Sequence, residues 1–143
     1  MGELEPQVVP MLADENGPAA MDWLARAFGF AEIVRMVTPE GRLSHGEMAT
    51  GESGLIMLAT PSPHYQGPKR HRAECDAARR WSEVPYIVDG VLVYVEDVEA
   101  HYEQARAAGA TILSAVEPGW PGKRYRAEDL EGHRWMFVER RGG

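Results

Sequence analysis

The chain has 143 residues, 44% hydrophobic and 26% charged, with a net charge of −7; it is long enough for one domain, or two small modules sharing a core, burying roughly 68–70% of its unfolded surface. The acidic balance argues against a general nucleic-acid binder, whose affinity rests on Lys and Arg at phosphates, and favours a cationic small molecule. The single cysteine, Cys75, leaves no intrachain disulfide and no Cys-based zinc site, and no apolar run approaches the roughly 18 residues of a membrane span.

The first residues, Met1-Gly-Glu-Leu-Glu-Pro6, lack the basic and apolar regions of a secretory signal, and Pro6 stands where an N-myristoylation site needs Ser or Thr. A cytoplasmic protein with no membrane partner is expected. Gln7 to Asp14 reads as a short apolar strand. Gly17-Pro18 then opens a helix whose apolar positions Ala20, Trp23, Leu24, Ala27 and Phe28 recur at helical spacing, with Gly29 as its stop. Three strand-like runs follow, Glu32 to Val37, Arg42 to Ala49 and Gly54 to Ala59, separated by turns at Pro39-Glu-Gly41 and Thr50 to Gly54.

Within the second of these runs His45 and Glu47 lie two apart and project to one face, opposite Ser44, Gly46 and Met48. A His beside a carboxylate is a candidate general acid or base near neutral pH. The alternative is a partly exposed pair on a wet rim near Arg42 and Glu52. Residues 61–87 interrupt the pattern as a linker, locally basic at Lys69-Arg-His-Arg72 and Arg79-Arg80, with a short helix expected over Ala73 to Trp81. Such a stretch is a solvated connection, a lid or a dimer arm.

The second half repeats the order of the first. Gly90 to Asp97 is a strand; Val98, Tyr102, Ala105 and Ala108 mark a helix ended by Gly109; Thr111 to Val116, Lys123 to Ala127 and Arg134 to Glu139 are strands. His101, beside Glu99 and Glu103, reads as a surface residue, while Trp23 and Trp135 read as core. Trp120 and Tyr125 border the Pro118 to Gly122 loop, where an aromatic can stack on a flat ligand or pin the loop to the core. Arg124 and Arg126 alternate with Tyr125 and reach either an anionic ligand or solvent. The last turn, Asp129 to Gly132, has its own mechanism: Asp129 bonds backbone two residues on, and Gly132 takes positive φ without a Cβ clash. His133 then caps or packs the hairpin.

The duplicated βαβββ order, the stretch Val91-Leu-Val-Tyr-Val-Glu-Asp97 continuing through the helix to Gly109, and the closing Asp129-Leu-Glu-Gly132-His-Arg-Trp135 together resemble the glyoxalase, bleomycin-resistance and extradiol-dioxygenase (vicinal oxygen chelate) superfamily, most nearly its bacterial glyoxalase-like (PhnB-like) branch. The resemblance implies an α+β fold: two βαβββ modules, here 7–60 and 88–140 within a single domain spanning 1–143, with curved mixed sheets enclosing a small-molecule cavity, and a homodimer.

It also implies where a metal would be held. The family's four ligand positions, counted from Asp14, Asp97 and Asp129 and by matching the fourth strand, fall here on Gln7, Met57, Gly90 and Met136. Zn²⁺, Ni²⁺, Mg²⁺ and Fe²⁺ prefer carboxylate, imidazole or carbonyl oxygen; thioethers suit softer ions, and glycine offers no side chain. No metal and no other cofactor is expected. Strand alternation from these positions gives a Met-rich apolar lining of Gln7, Val9, Met11, Met57, Gly90, Leu92, Tyr94 and Met136, with Leu55, Ala59 and Val138 beside them and Trp120 and Tyr125 at its mouth. The same methionines can instead fill a closed core. The expected function is metal-free binding of a small hydrophobic or cationic compound, in the manner of sequestration; the alternative is a lyase or isomerase using His45 and Glu47.

Overall fold

The structure, a computed structural model, describes residues 6–84 and 89–140; the junction at 85–88, which holds the end of the expected linker and the start of the second module, lies outside the described residues. The chain divides into two compact units at Gly67 and Pro68. The first contains β1 (Met11–Ala13), α1 (Gly17–Phe28), β2 (Ala31–Val37), β3 (Leu43–Ala49) and β4 (Leu55–Ala59). The second contains α2 (Pro68–Glu74), α3 (Asp76–Trp81), β5 (Gly90–Val95), α4 (Val98–Ala107), β6 (Thr111–Glu117), β7 (Arg124–Glu128) and β8 (Arg134–Glu139).

Each unit builds one four-stranded mixed sheet, ordered β1-β4-β3-β2 in the first and β5-β8-β7-β6 in the second. The first strand of each pairs parallel with the fourth, and the remaining pairs are antiparallel. The architecture is therefore α+β, with two curved sheets that do not close. No helix of the described residues is long and apolar enough to cross a membrane.

β1 is shorter than the expected Gln7 to Asp14 run. Pro10 has no N–H for the ladder, so only its carbonyl takes part, accepting from Met57 N at 3.0 Å. Gln7 and Val9 precede the strand, and strand alternation does not set their direction; their expected sharing of a face with Met11 is corrected accordingly. Both long helices start on a capping side chain: Asn16 Oδ1 accepts from Ala19 N at 3.1 Å, and Asp97 Oδ1 from Ala100 N at 3.0 Å. α1 ends on Gly29 at φ 74°.

The helices cover one face of each sheet. Met21, Leu24 and Ala27 of α1 and Leu43, Met48, Ile56 and Leu58 of the first sheet are buried; a Cβ on Gly46 would meet Met21 Sδ at 2.8 Å, so glycine is what lets helix and sheet approach there. On the helix side of the second sheet, Tyr125, Phe137 and Trp135 form an aromatic row with centroid spacings of 5.3 and 6.2 Å. His101 of α4 belongs to this row, its ring 4.2 Å from that of Phe137 and its Nδ1 2.6 Å from the Tyr125 hydroxyl. The expectation of a surface histidine is thus corrected: one turn into the helix, His101 faces the sheet.

The Asp129 to Gly132 turn closes β7 onto β8. Asp129 Oδ1 accepts from Glu131 N and His133 N at 3.1 and 3.0 Å, and Oδ2 from Trp135 Nε1 at 3.0 Å. Gly132 sits at φ +95°, and a Cβ there would fall 2.7 Å from Lys69 N. Lys69 N donates to Glu131 O at 2.9 Å, so this turn also receives the start of α2.

Candidate functional site

The faces turned away from the helices are open. On the first sheet one cross-strand row reads Met11, Met57, Glu47, Val34, and the next holds Ala13, Ala59, His45 and Met36. On the second sheet the corresponding rows read Leu92, Met136, Arg126, Ser114 and Tyr94, Val138, Arg124, Glu117. Met57 and Met136 hold the same place, third in the strand that pairs parallel with the first strand of its unit. Met11 is 81% exposed, and Met36, Leu92 and Tyr94 are also exposed. Exposed apolar surface of this kind marks an interaction site more often than a packed core.

His45 and Glu47 stand together on the first face, Nε2 to Oε2 at 2.7 Å, with side chains 35% and 23% exposed. Two-residue spacing on β3 makes this possible, and the bond fixes the imidazole so that its other nitrogen can point elsewhere. The pair is set among Met36, Met57 and Val34. It can hold a proton, or present one carboxylate to a cationic group in apolar surroundings.

Tyr125 does not line this surface. It pairs with Phe137, opposite in parity to Arg126 and Met136, and is fully buried toward α4. Burial pushes its hydroxyl well above the usual tyrosine range. Trp120 is 77% exposed in the loop between β6 and β7. The same loop covers the end of the second face: a Cβ on Gly122 would lie 3.6 Å from Val138 Cγ1, and one on Gly119 would lie 2.9 Å from the Arg124 guanidinium. Val138 therefore shares a face with Met136 and yet is buried.

The expected ligand set does not fit a metal. Gln7 is exposed ahead of β1, Gly90 has no side chain, and Met57 and Met136 offer only thioethers. Among the described residues no group of three or more His, Cys, Asp or Glu is placed to hold an ion.

Sequence reasoning does not find the ionic node at the other end of the second face. Glu128 and Arg134, 2% and 7% exposed, pair across β7 and β8 with Arg134 Nε 2.9 Å from Glu128 Oε2. Arg72 of α2 reaches the same carboxylate, Nη2 to Oε1 at 2.6 Å, and this bond raises the guanidinium further above its ordinary range. Arg134 also donates to Ser82 O and Val84 O at 2.7 and 3.0 Å. Residues 68–84 are thus fastened to the second sheet, and the solvated-connection reading of this stretch is corrected. The sequence signal was the basic run itself, which lacked a visible acidic partner because that partner lies 56 residues away.

A cleft of about 540 Å³ opens elsewhere, at the start of α1, lined in part by Glu15, Asn16, Glu40, Arg42 and Thr60. Its size suits a ligand, but its donors are engaged: Gly17 N bonds Thr60 Oγ1, Ala19 N bonds Asn16 Oδ1, Ala20 N bonds Asn16 O, and Arg42 Nη1 bonds Thr60 O. The open faces carry the more specific chemistry.

A profile of the Glyoxalase/Bleomycin resistance protein/Dioxygenase superfamily matches residues 7–137. An uncharacterised protein of Mycobacterium bovis is 29% identical over 139 residues, covering 94% of this chain and 83% of its own length. The crystal structure of TioX from Micromonospora sp. ML1 aligns with a TM-score of 0.66 at 28% identity, over 96% of this chain and 98% of TioX. TnmS3, an antibiotic binding protein from Streptomyces sp. CB03234, shares the fold with a TM-score of 0.62 at 15% identity, over 97% of this chain and all of its own.

Proposed function

Given that this chain belongs to the Glyoxalase/Bleomycin resistance protein/Dioxygenase superfamily, we propose that it binds a small hydrophobic or cationic compound without a metal ion, on the open faces of its sheets. The observation that carries this reading is the row Met11, Met57, Glu47: two flexible thioethers and one carboxylate on an open face, with Met57 at one of the four positions where the resemblance puts a metal ligand. Methionines adapt to varied apolar shapes, and a carboxylate steadied by His45 attracts a protonated amine. TnmS3 supports the reading to the extent that this fold accommodates an antibiotic.

Thermal denaturation tests it. A bleomycin or an aromatic amine at about 100 times its Kd stabilises by about 2.7 kcal/mol, or roughly 5–10 °C for a domain of this size, while Zn²⁺ and Ni²⁺ give no shift. Stoichiometric metal in protein purified without chelator would overturn the metal-free reading.

The second reading, a lyase or isomerase, is favoured by one observation, the 2.7 Å His45–Glu47 contact. In it the imidazole moves the substrate proton and Glu47 holds the ring in place. Loss of turnover in His45→Ala with an unchanged melting curve would establish it. We further propose a cytoplasmic homodimer, since open sheet faces gain from coverage; sedimentation should give twice the 15.9 kDa chain mass, and a monomer at micromolar concentration would refute this.

A further inference from the structure

We infer that His45 and Glu47 form a subsite for cations that carry N–H groups, amines on an apolar body, and that it discriminates against quaternary ammonium ions. This names the ligand class within the binding reading above and rests on it. Glu47 stands opposite Met57 on one side and Val34 on the other, and His45 stands opposite Met36, so apolar side chains of β2 and β4 flank the pair. Residues directly opposite place their Cβ atoms roughly 5 Å apart, within the reach of one small ligand.

Two features set this pair apart from what the scaffold requires. At the corresponding places of the second sheet the same backbone carries Arg126 and Arg124, so neither His45 nor Glu47 is needed for the fold. The other carboxylates held in the two units are matched by arginine: Asp22 and Glu32 by Arg35, and Glu128 by Arg72 and Arg134. Among the described residues the ion-pair partner of Glu47 is His45, and no Lys or Arg joins it. A cationic ligand can therefore supply what arginine supplies elsewhere, and the chain's net charge of −7 favours its approach.

The hydrogen bond within the pair decides which cation fits. A carboxylate only accepts, so the 2.7 Å contact to Glu47 Oε2 places the hydrogen on His45 Nε2. That leaves the lone pair of His45 Nδ1 and the second oxygen of Glu47, two acceptors and no donor, on a partly exposed face. An ammonium with N–H groups can donate to both, and hydrogen bonds to a charged partner are the strong ones. A quaternary ion carries the same charge and donates nothing. Its usual means of recognition is the face of an aromatic ring, and the two rows of this face contain no Phe, Tyr or Trp. Met36 and Met57 then adapt to the ligand's apolar body.

Calorimetric titration of the full chain compares four probes that share one ring system: 2-naphthylmethylamine, its N,N-dimethyl and N,N,N-trimethyl forms, all singly charged at neutral pH, and the neutral 2-naphthylmethanol. The primary amine should bind roughly tenfold more tightly than the trimethyl ion, with the dimethyl amine, which keeps one N–H, between them. Glu47→Gln should remove that preference, and His45→Phe should reduce it about threefold while leaving the affinity for the alcohol unchanged. Melting curves of each variant separate a lost contact from a lost fold. A dimethyl amine that binds no more tightly than the trimethyl ion would assign the difference to bulk and overturn the subsite, as would a preference that survives Glu47→Gln with folding intact. If the trimethyl ion or the alcohol binds as tightly as the primary amine, the subsite fails and the general binding reading stands; if none of the four binds up to its solubility limit, both fail.

Discussion

Beside the central methionine of the first open face stands Glu47, hydrogen-bonded to His45; beside that of the second stands Arg126, with Arg124 in the next row. Backbone order, register and the parallel first-to-fourth pairing are the same in both units. What differs is the sign of the charge and how each face ends. The first sheet closes its β3–β4 row with Ala49 opposite Leu55, whereas the second closes the equivalent row with Glu128 opposite Arg134 and recruits Arg72 from α2. The scaffold therefore fixes where side chains point and leaves their chemistry free, which is the sense in which function resides in a site and not in a fold.

The largest break in this comparison should come from Glu128→Ala. It leaves Arg134, 7% exposed, without its carboxylate, and uncompensated buried charge costs about 3–5 kcal/mol; urea denaturation should register that loss. The sharper form is the double variant Glu128→Ala with Arg134→Leu, which rewrites the row as Ala49 and Leu55 have it. It should be more stable than Glu128→Ala alone, and an equally unstable double variant would show that Arg134 matters mainly through Ser82 and Val84.

Next in size are the closing turns. Asp129 satisfies two backbone amides and the Trp135 indole, while Thr50 begins the corresponding turn, Thr50 N to Gly54 O at 3.0 Å. Asp129→Ala should cost about 2–3 kcal/mol and Thr50→Ala below about 1 kcal/mol, read from thermal melts. On the ligand side, Glu47→Gln should weaken an aromatic amine roughly tenfold, about 1.4 kcal/mol, and Arg126→Gln should leave that affinity unchanged. Equal losses from both variants would erase the distinction between the faces.

A modest effect concerns Tyr125, which has no counterpart on the helix side of the first sheet: Gly46 lies beside Leu58 there. Tyr125→Phe removes the hydroxyl bonded to His101 and should cost about 1 kcal/mol at neutral pH. Burial raises the folded-state pKa of Tyr125, so above pH about 10 the unfolded chain releases this proton first. Stability should then fall with rising pH in the parent protein and fall less steeply in Tyr125→Phe.

The parts legible from sequence are those whose cause is local. Asp97 capping Ala100, Gly29 ending α1 and Asp129 folding back on Glu131 each act within a few residues. The burial of Trp23 and Trp135 likewise follows from short-range parity. What the sequence does not disclose is set at long range. Tyr125 stacks on Phe137, on the face away from Met136, because of the register between β7 and β8. Arg72 meets Glu128 across the whole second unit, and Pro10 withdraws Gln7 and Val9 from the strand that was to align them. The charged rows were visible as alternating arginines, but their neighbours Ser114 and Glu117 enter from another strand.

Gly132 gives the closing hairpin a role in the order of events. Its bare Cα admits Lys69 N, which donates to Glu131 O at 2.9 Å in the folded turn. The Lys69 amide is therefore expected to report hairpin closure. In pulse-labelling hydrogen exchange during refolding, it should acquire protection no earlier than the amides of Glu131 and His133, which makes the start of α2 a late passenger on a turn sixty residues downstream.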